Sequence, residues 1–131
     1  MAFEFRRAEQ DTAPIEKELL ATKNEAYVHG EAVKFSSGKL TKSGATETPE
    51  FIYVGKAFTP AVSGVKIAVI PVLPEYEWET TFSADASALK AGAKVTVNSD
   101  GAQVTATTTN GKFQLLEDGK ASGKKAVGRF A

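Results

Sequence analysis

The chain has 131 residues and a mass of 13.9 kDa, enough for one domain with its own core. Sixteen basic and sixteen acidic residues cancel to zero net charge, which excludes a nucleic-acid binder working by phosphate neutralisation and a polybasic membrane-surface protein. With no cysteine and one histidine, the chain has no disulfide, no thiol nucleophile and no Cys or His metal cluster; no metal and no cofactor are expected.

The N-terminus, Met1–Arg7, mixes acid and base without the apolar stretch of a signal peptide, so synthesis in a cytoplasm is expected. Residues 1–26 are polar and weakly patterned. One short helix is predicted within them over Pro14–Thr22. Asp11 or Thr12 would cap it, Pro14 sits in the first turn, and Ile15 and Leu19 lie four apart. Two turns are marginal alone, so the region reads as a flexible arm that orders on a partner surface.

From Tyr27 onward the chain reads as a single β domain, residues 27–131. Strands are predicted at Ala26–Phe35, Phe51–Phe58, Val65–Val72, Tyr76–Phe82, Lys94–Asn98, Ala102–Thr107, Phe113–Leu116 and Lys125–Phe130. Apolar residues alternate with polar ones in several of these, as half-buried strands require. Hairpin chemistry falls between them at Ser36–Gly38, Asn98–Gly101, Asn110–Gly111 and Asp118–Gly119. Pro71 and Pro74 end the longest apolar run, Val65–Leu73, which is too short to span a bilayer. Ala84–Ala91 reads as a single helical turn or a loop of small residues. Many short strands with Gly and Pro turns predict an all-β fold, a small barrel or sandwich. Gly30–Leu40 and Gly92–Val104 share a strand, a glycine turn and a return strand, as two related β units would.

Residues that could carry chemistry are few. His29 lies beside Gly30, without the Gly-x-Ser-x-Gly elbow of a serine hydrolase. Glu75, Glu77 and Glu79 alternate with Tyr76, Trp78 and Thr80. On a strand the carboxylates share one face, parallel rather than convergent, and read as a solvated face opposite an aromatic one. Exposed, Tyr76 and Trp78 with Tyr53 would instead form a platform for a sugar, the mark of a carbohydrate or cell-wall binding module. No phosphate-binding glycine loop occurs. Lys120, Lys124, Lys125 and Arg129 form a modest basic stretch that contacts an acidic surface or balances the acidic strand. These features point away from an enzyme.

Taken in order, the Gly30–Val33 strand, the Ser37–Leu40 turn, the small residues of Thr41–Thr48, the Val54-Gly55-Lys56-Ala57 strand end, the Lys90–Val95 entry with its Asp100-Gly101 turn and the Ala126–Phe130 finish make a pattern. It resembles the small all-β decoration, or cement, proteins of tailed-bacteriophage capsids, over residues 27–131 with Thr59–Ala91 outside the pattern. The resemblance implies a structural protein on the outside of the assembled virion, bound to the major capsid protein and stabilising it. Trimers, or monomers at local symmetry points, are the assembly states it implies; nucleic acid and membrane are not partners. Another phage structural role, in a tail tube or head completion, is the neighbouring alternative. On this reading the N-terminal arm adds to a capsid sheet edge through Phe3 and Phe5, alternating with Glu4 and Arg6. Phe3, Phe5, Arg6, Arg7, Tyr76 and Trp78 are the candidate contact residues. Removing residues 1–10 would then weaken attachment and leave the fold intact.

Overall fold

Strand pairing accounts for nearly all the regular structure in the computed structural model, which describes residues 1–8 and 14–131. Ten strands run in chain order: β1 (Glu4–Ala8), β2 (Lys17–Leu20), β3 (Ala32–Ser36), β4 (Lys39–Lys42), β5 (Phe51–Tyr53), β6 (Lys66–Pro71), β7 (Tyr76–Thr81), β8 (Lys94–Val95), β9 (Phe113–Leu115) and β10 (Lys125–Phe130). They form two five-stranded antiparallel sheets, β1-β7-β10-β9-β8 and β2-β6-β5-β3-β4, and no helix occurs among the described residues. The architecture is an all-β sandwich and not a closed barrel.

The second sheet is buried on both faces at its centre, because successive strand residues point to opposite sides. Ala32, Ile52 and Ile70 pair across β3, β5 and β6 and face the first sheet, where they join the main core with Trp78, Phe82, Phe113 and Phe130. On the other side Val33, Tyr53, Ile67 and Val69 form a smaller core with Ala21, Tyr27 and Leu40. This double burial explains why β6 reads as an almost unbroken apolar run. The second face is closed by curling: Ala21, just beyond β2, bridges Leu40 of β4. Tyr27 fills the curl. Its hydroxyl donates to the Leu40 carbonyl at 2.6 Å and accepts from the Thr22 amide at 2.8 Å, so the buried phenol is satisfied.

Turn chemistry is plainest between β3 and β4. Ser37 and Gly38 both take positive φ, 51° and 81°, the two-residue geometry that matches strand twist. Elsewhere pairing is shorter than the alternation suggested. Only Lys94–Val95 of the Lys94–Asn98 stretch is a strand, and Ala102–Thr107 contributes a single bridging residue, Val104, which contacts both Val97 and Phe82. Ala84–Ala91 is a loop of turns and bends. The two echoing segments fall in different sheets, Gly30–Leu40 in the second and Gly92–Val104 beside the first.

The N-terminal region departs most from expectation. Residues expected as a flexible arm give one edge strand to each sheet: β1 pairs with β7 and β2 with β6. The helix expected over Pro14–Thr22 is strand where β2 runs. Ile15 and Leu19, four apart, share a strand face as readily as a helix face, and pairing with β6 decides between them. The candidate caps Asp11 and Thr12 lie outside the described residues. Phe3 is 1% exposed, with ring centroids 5.6 Å from Phe113 and 5.3 Å from Phe130. Its amide donates to the Gly30 carbonyl at 2.9 Å. Gly30 must be glycine for this: φ is +77°, and a Cβ there would come within 2.7 Å of the Ala2 Cα and the Phe3 nitrogen. An N-terminal segment so placed is structural. Phe3→Ala is expected to cost about 3–5 kcal/mol in urea unfolding, the usual range for removing a buried aromatic ring. Deleting residues 1–8 is expected to abolish cooperative unfolding rather than leave the fold intact.

Candidate contact surface

The six candidate contact residues all lie on β1 or β7 or just before β1, and the pairing of those strands brings them together. Phe5 opposes Trp78, and Ala8 opposes Tyr76. The Phe5 ring meets Tyr76 edge-on at 5.1 Å and Trp78 at 5.8 Å. This neighbourhood is mostly interior. Phe3, Tyr76 and Trp78 are buried and Phe5 is half-buried, so the aromatic members serve the core and not a docking face. Tyr53 is buried as well, which removes the aromatic platform a sugar would need. The expected split of β7 holds: Tyr76, Trp78 and Thr80 point inward, and Glu77 and Glu79 lie on the outer side.

Arg6 and Arg7 are the members that reach the surface, and both reach the same carboxylate. Between Phe5 and Arg7 the register shifts: β1 advances two residues while β7 advances one, from Trp78 to Glu77. Arg6 is the extra residue of a β-bulge. In a regular strand two consecutive side chains would part to opposite faces. Here Arg6 Nη1 donates to Glu77 Oε1 and Arg7 Nε to Glu77 Oε2, each at 2.8 Å. The bulge also returns Ala8 to the core side, where a regular alternation from Phe3 and Phe5 would have put Arg7. Burial alone would raise the Glu77 carboxyl. The hydrogen bonds from Arg7 and Arg6, with their charges, outweigh it and hold it below the usual carboxylate range.

Charge pairing continues over the outer face of the first sheet and the N-terminal edge. Lys125 on β10 lies 3.8 Å from Glu79, and Arg129 Nε donates to Gln114 at 3.2 Å. Lys120 pairs with Glu117 at 3.5 Å, so much of the C-terminal basic stretch balances nearby acids. Glu4 turns to His29, with Oε1 3.0 Å from Nε2, while His29 Nδ1 lies 3.2 Å from the carbonyls of Val54 and Gly55. His29 thus joins the N-terminal strand to the turn after β5; its contacts are a carboxylate and two carbonyls. An open groove of about 440 Å³ beside β7 is lined by Leu73, Pro74, Glu75 and Arg129. Among the described residues no group of three or more His, Asp or Glu side chains is arranged to hold a metal.

Sequence reasoning missed two features. The arginine clasp depends on a bulge, and no local pattern in Phe5–Ala8 marks one. Glu31, inside the stretch Ala26–Phe35 expected as strand, was not singled out, yet its side chain is buried. The only signal in the sequence was an acidic residue directly before an apolar strand.

No family model matches the chain, and no curated protein matches it. A solved structure does: the N base of head fiber gp8.5 of bacteriophage phi29 superposes with a TM-score of 0.60, covering 89% of this chain and 95% of that one at 13% identity. At that identity the likeness establishes a shared fold.

Glu77→Gln is expected to cost about 1 kcal/mol at pH 7, modest because both arginines are partly exposed. The sign follows from the depressed carboxyl: the clasp stabilises fully above the ordinary value of 4.5 and is lost as pH falls through the lower folded value. Denaturation of the two proteins should therefore converge in acid. Trp78, fully enclosed, is expected to show emission shifted to shorter wavelength than that of an exposed indole and to resist acrylamide quenching, with no response to added glycans.

Proposed function

We propose that this chain is a structural protein of a tailed-phage head, attached to the outside of the assembled capsid and stabilising it as a decoration protein does. The observation that carries the reading is the fold shared with a phage head-fiber base over nearly the whole of both chains. The order of turns and strands that resembles the decoration proteins supports it from the sequence side. The chemistry of the surface agrees. The outer face of the first sheet offers paired charges, which suit a binding role.

Its partner on this reading is the major capsid protein, without nucleic acid or membrane. Attachment uses the folded surface and not an unfolded arm, since Phe3 and Phe5 are already committed to the core. The paired charges of β1, β7 and β10 are suited to orienting a protein on a polar lattice, where many weak contacts sum through repetition.

Co-sedimentation tests this with purified protein and undecorated heads built from the major capsid protein of the same phage. Saturable binding to expanded heads, with raised resistance of those heads to heat, is expected; unexpanded proheads should bind far less. Failure to bind either form would overturn the reading. Light-scattering mass of the free protein, read alongside, gives the number of chains that arrive together.

A further inference from the structure

Glu31 is the one acidic side chain shut inside the described structure, at 1% exposure. Its Oε1 accepts from the Val28 amide at 3.2 Å, and its Oε2 is buried with no hydrogen-bond partner. It sits where the turn of residues 98–101 docks on the start of β3, tied by the Ala32 amide donating to the Gly101 carbonyl at 2.8 Å. The dock is tight. A Cβ on Gly101 would stand 3.0 Å from Cγ of Glu31 and 3.3 Å from Cγ of Lys42.

The groups facing this carboxyl come from every side. Lys42 at the end of β4 is the favourable one; Glu25 and Asp100 oppose it, and the phenols of Tyr27 and Tyr53 lie within its field. Lys42 Nζ donates to the Ser99 carbonyl at 3.4 Å. Glu25 is taken up by Thr41 Oγ1 at 2.7 Å and the Lys42 amide at 3.1 Å. Asp100 accepts from the Ala102 amide at 2.9 Å, the Gln103 amide at 3.2 Å and Gln103 Nε2 at 2.8 Å. Burial would raise Asp100, but these hydrogen bonds hold its carboxyl low, so it stays ionised beside Glu31. An ionised Glu31 therefore meets two like charges and one lysine, with an oxygen left dry.

We propose that Glu31 is a proton-operated latch on the 98–101 turn: protonated, it lets the turn stay docked on β3, and ionised, it favours lifting of the turn so that water reaches Oε2. Burial first, then the charges of Glu25 and Asp100, outweigh the Val28 hydrogen bond and Lys42 and push the docked carboxyl up to about 6, against 4.5 in the open. The closed form thus binds more protons. Docking is strongest below the ordinary value, weakens as pH rises between the two values, and is level above the higher one. A gap of that size limits the change in the opening equilibrium to about thirtyfold. This behaviour is independent of what the chain binds.

Amide hydrogen exchange on the full chain, corrected for intrinsic rates, reads the latch between pH 4.5 and 7.5. Ala32 protection is expected to fall by up to about thirtyfold in the wild type and to stay flat in Glu31→Gln. Leu115, whose amide donates to the Ala93 carbonyl at 2.8 Å, is the reference and should stay flat in both. A carbon-13 titration of the Glu31 carboxyl gives the midpoint without any variant, and Asp100→Asn, which removes one like charge, should lower it. Unchanged Ala32 protection, an equal fall in Glu31→Gln, a parallel fall at Leu115 or a midpoint at the ordinary carboxylate value would each overturn the proposal.

Discussion

The seating of Phe3 between Phe113 and Phe130 is the contact on which the rest of the first sheet depends. Through this contact the segment leading into β1 is anchored in the core. The bare backbone of Gly30 lets Ala2 and Phe3 lie against the second sheet, and the hydrogen bond from Phe3 to Gly30 ties the two layers there. With that point set, β1 falls beside β7 in one register: Phe5 meets Trp78, and the bulge at Arg6 delivers two arginines to Glu77. Removing a single ring therefore loosens packing, strand pairing and charge pairing together.

The second sheet meets a different constraint. A sheet with apolar residues on both faces needs two cores, and the first sheet can cover only one. Curling the strands until the end of β2 bridges β4 supplies the other, and Tyr27 fills it while giving its hydroxyl to the Leu40 carbonyl. Short strands with a large aromatic plug do here what a third layer does in larger folds.

Much of this was legible in the sequence where the period of the pattern and the burial agreed. The Glu–aromatic alternation of β7, the Ser37–Gly38 hairpin, the apolar run of β6 and the strand at Lys125–Phe130 read directly. The N-terminal strands did not. A bulge breaks the alternation after Phe5, and the Ile15–Leu19 spacing satisfies two periods at once, so both were settled by pairing partners more than 45 residues away. Ala102–Thr107 shows a milder departure: its alternation is real and its backbone hydrogen-bonds back to Thr96 and Asn98 through Gln103, Thr105 and Thr107, but only Val104 forms a regular bridge. At the surface, the candidate residues clustered as expected while their roles divided, since a phenylalanine that suits a docking strand suits a core strand equally well. Glu31 was hard to read for a plainer reason: the turn that packs against it, at Gly101, lies seventy residues away, and the acidic residue before Ala32 is a faint local sign of it.

The bulge at Arg6 reaches beyond the clasp it builds. β1 is an outer strand of its sheet, and an outer strand ordinarily offers a row of amides and carbonyls on which a second chain can continue the ladder. Two residues set against one break the spacing of that row. Copies crowded together are thereby kept from zipping edge to edge into fibres along this side. Along this side, ordered contact between copies is left to faces and loops, where side chains and not backbone choose the neighbour.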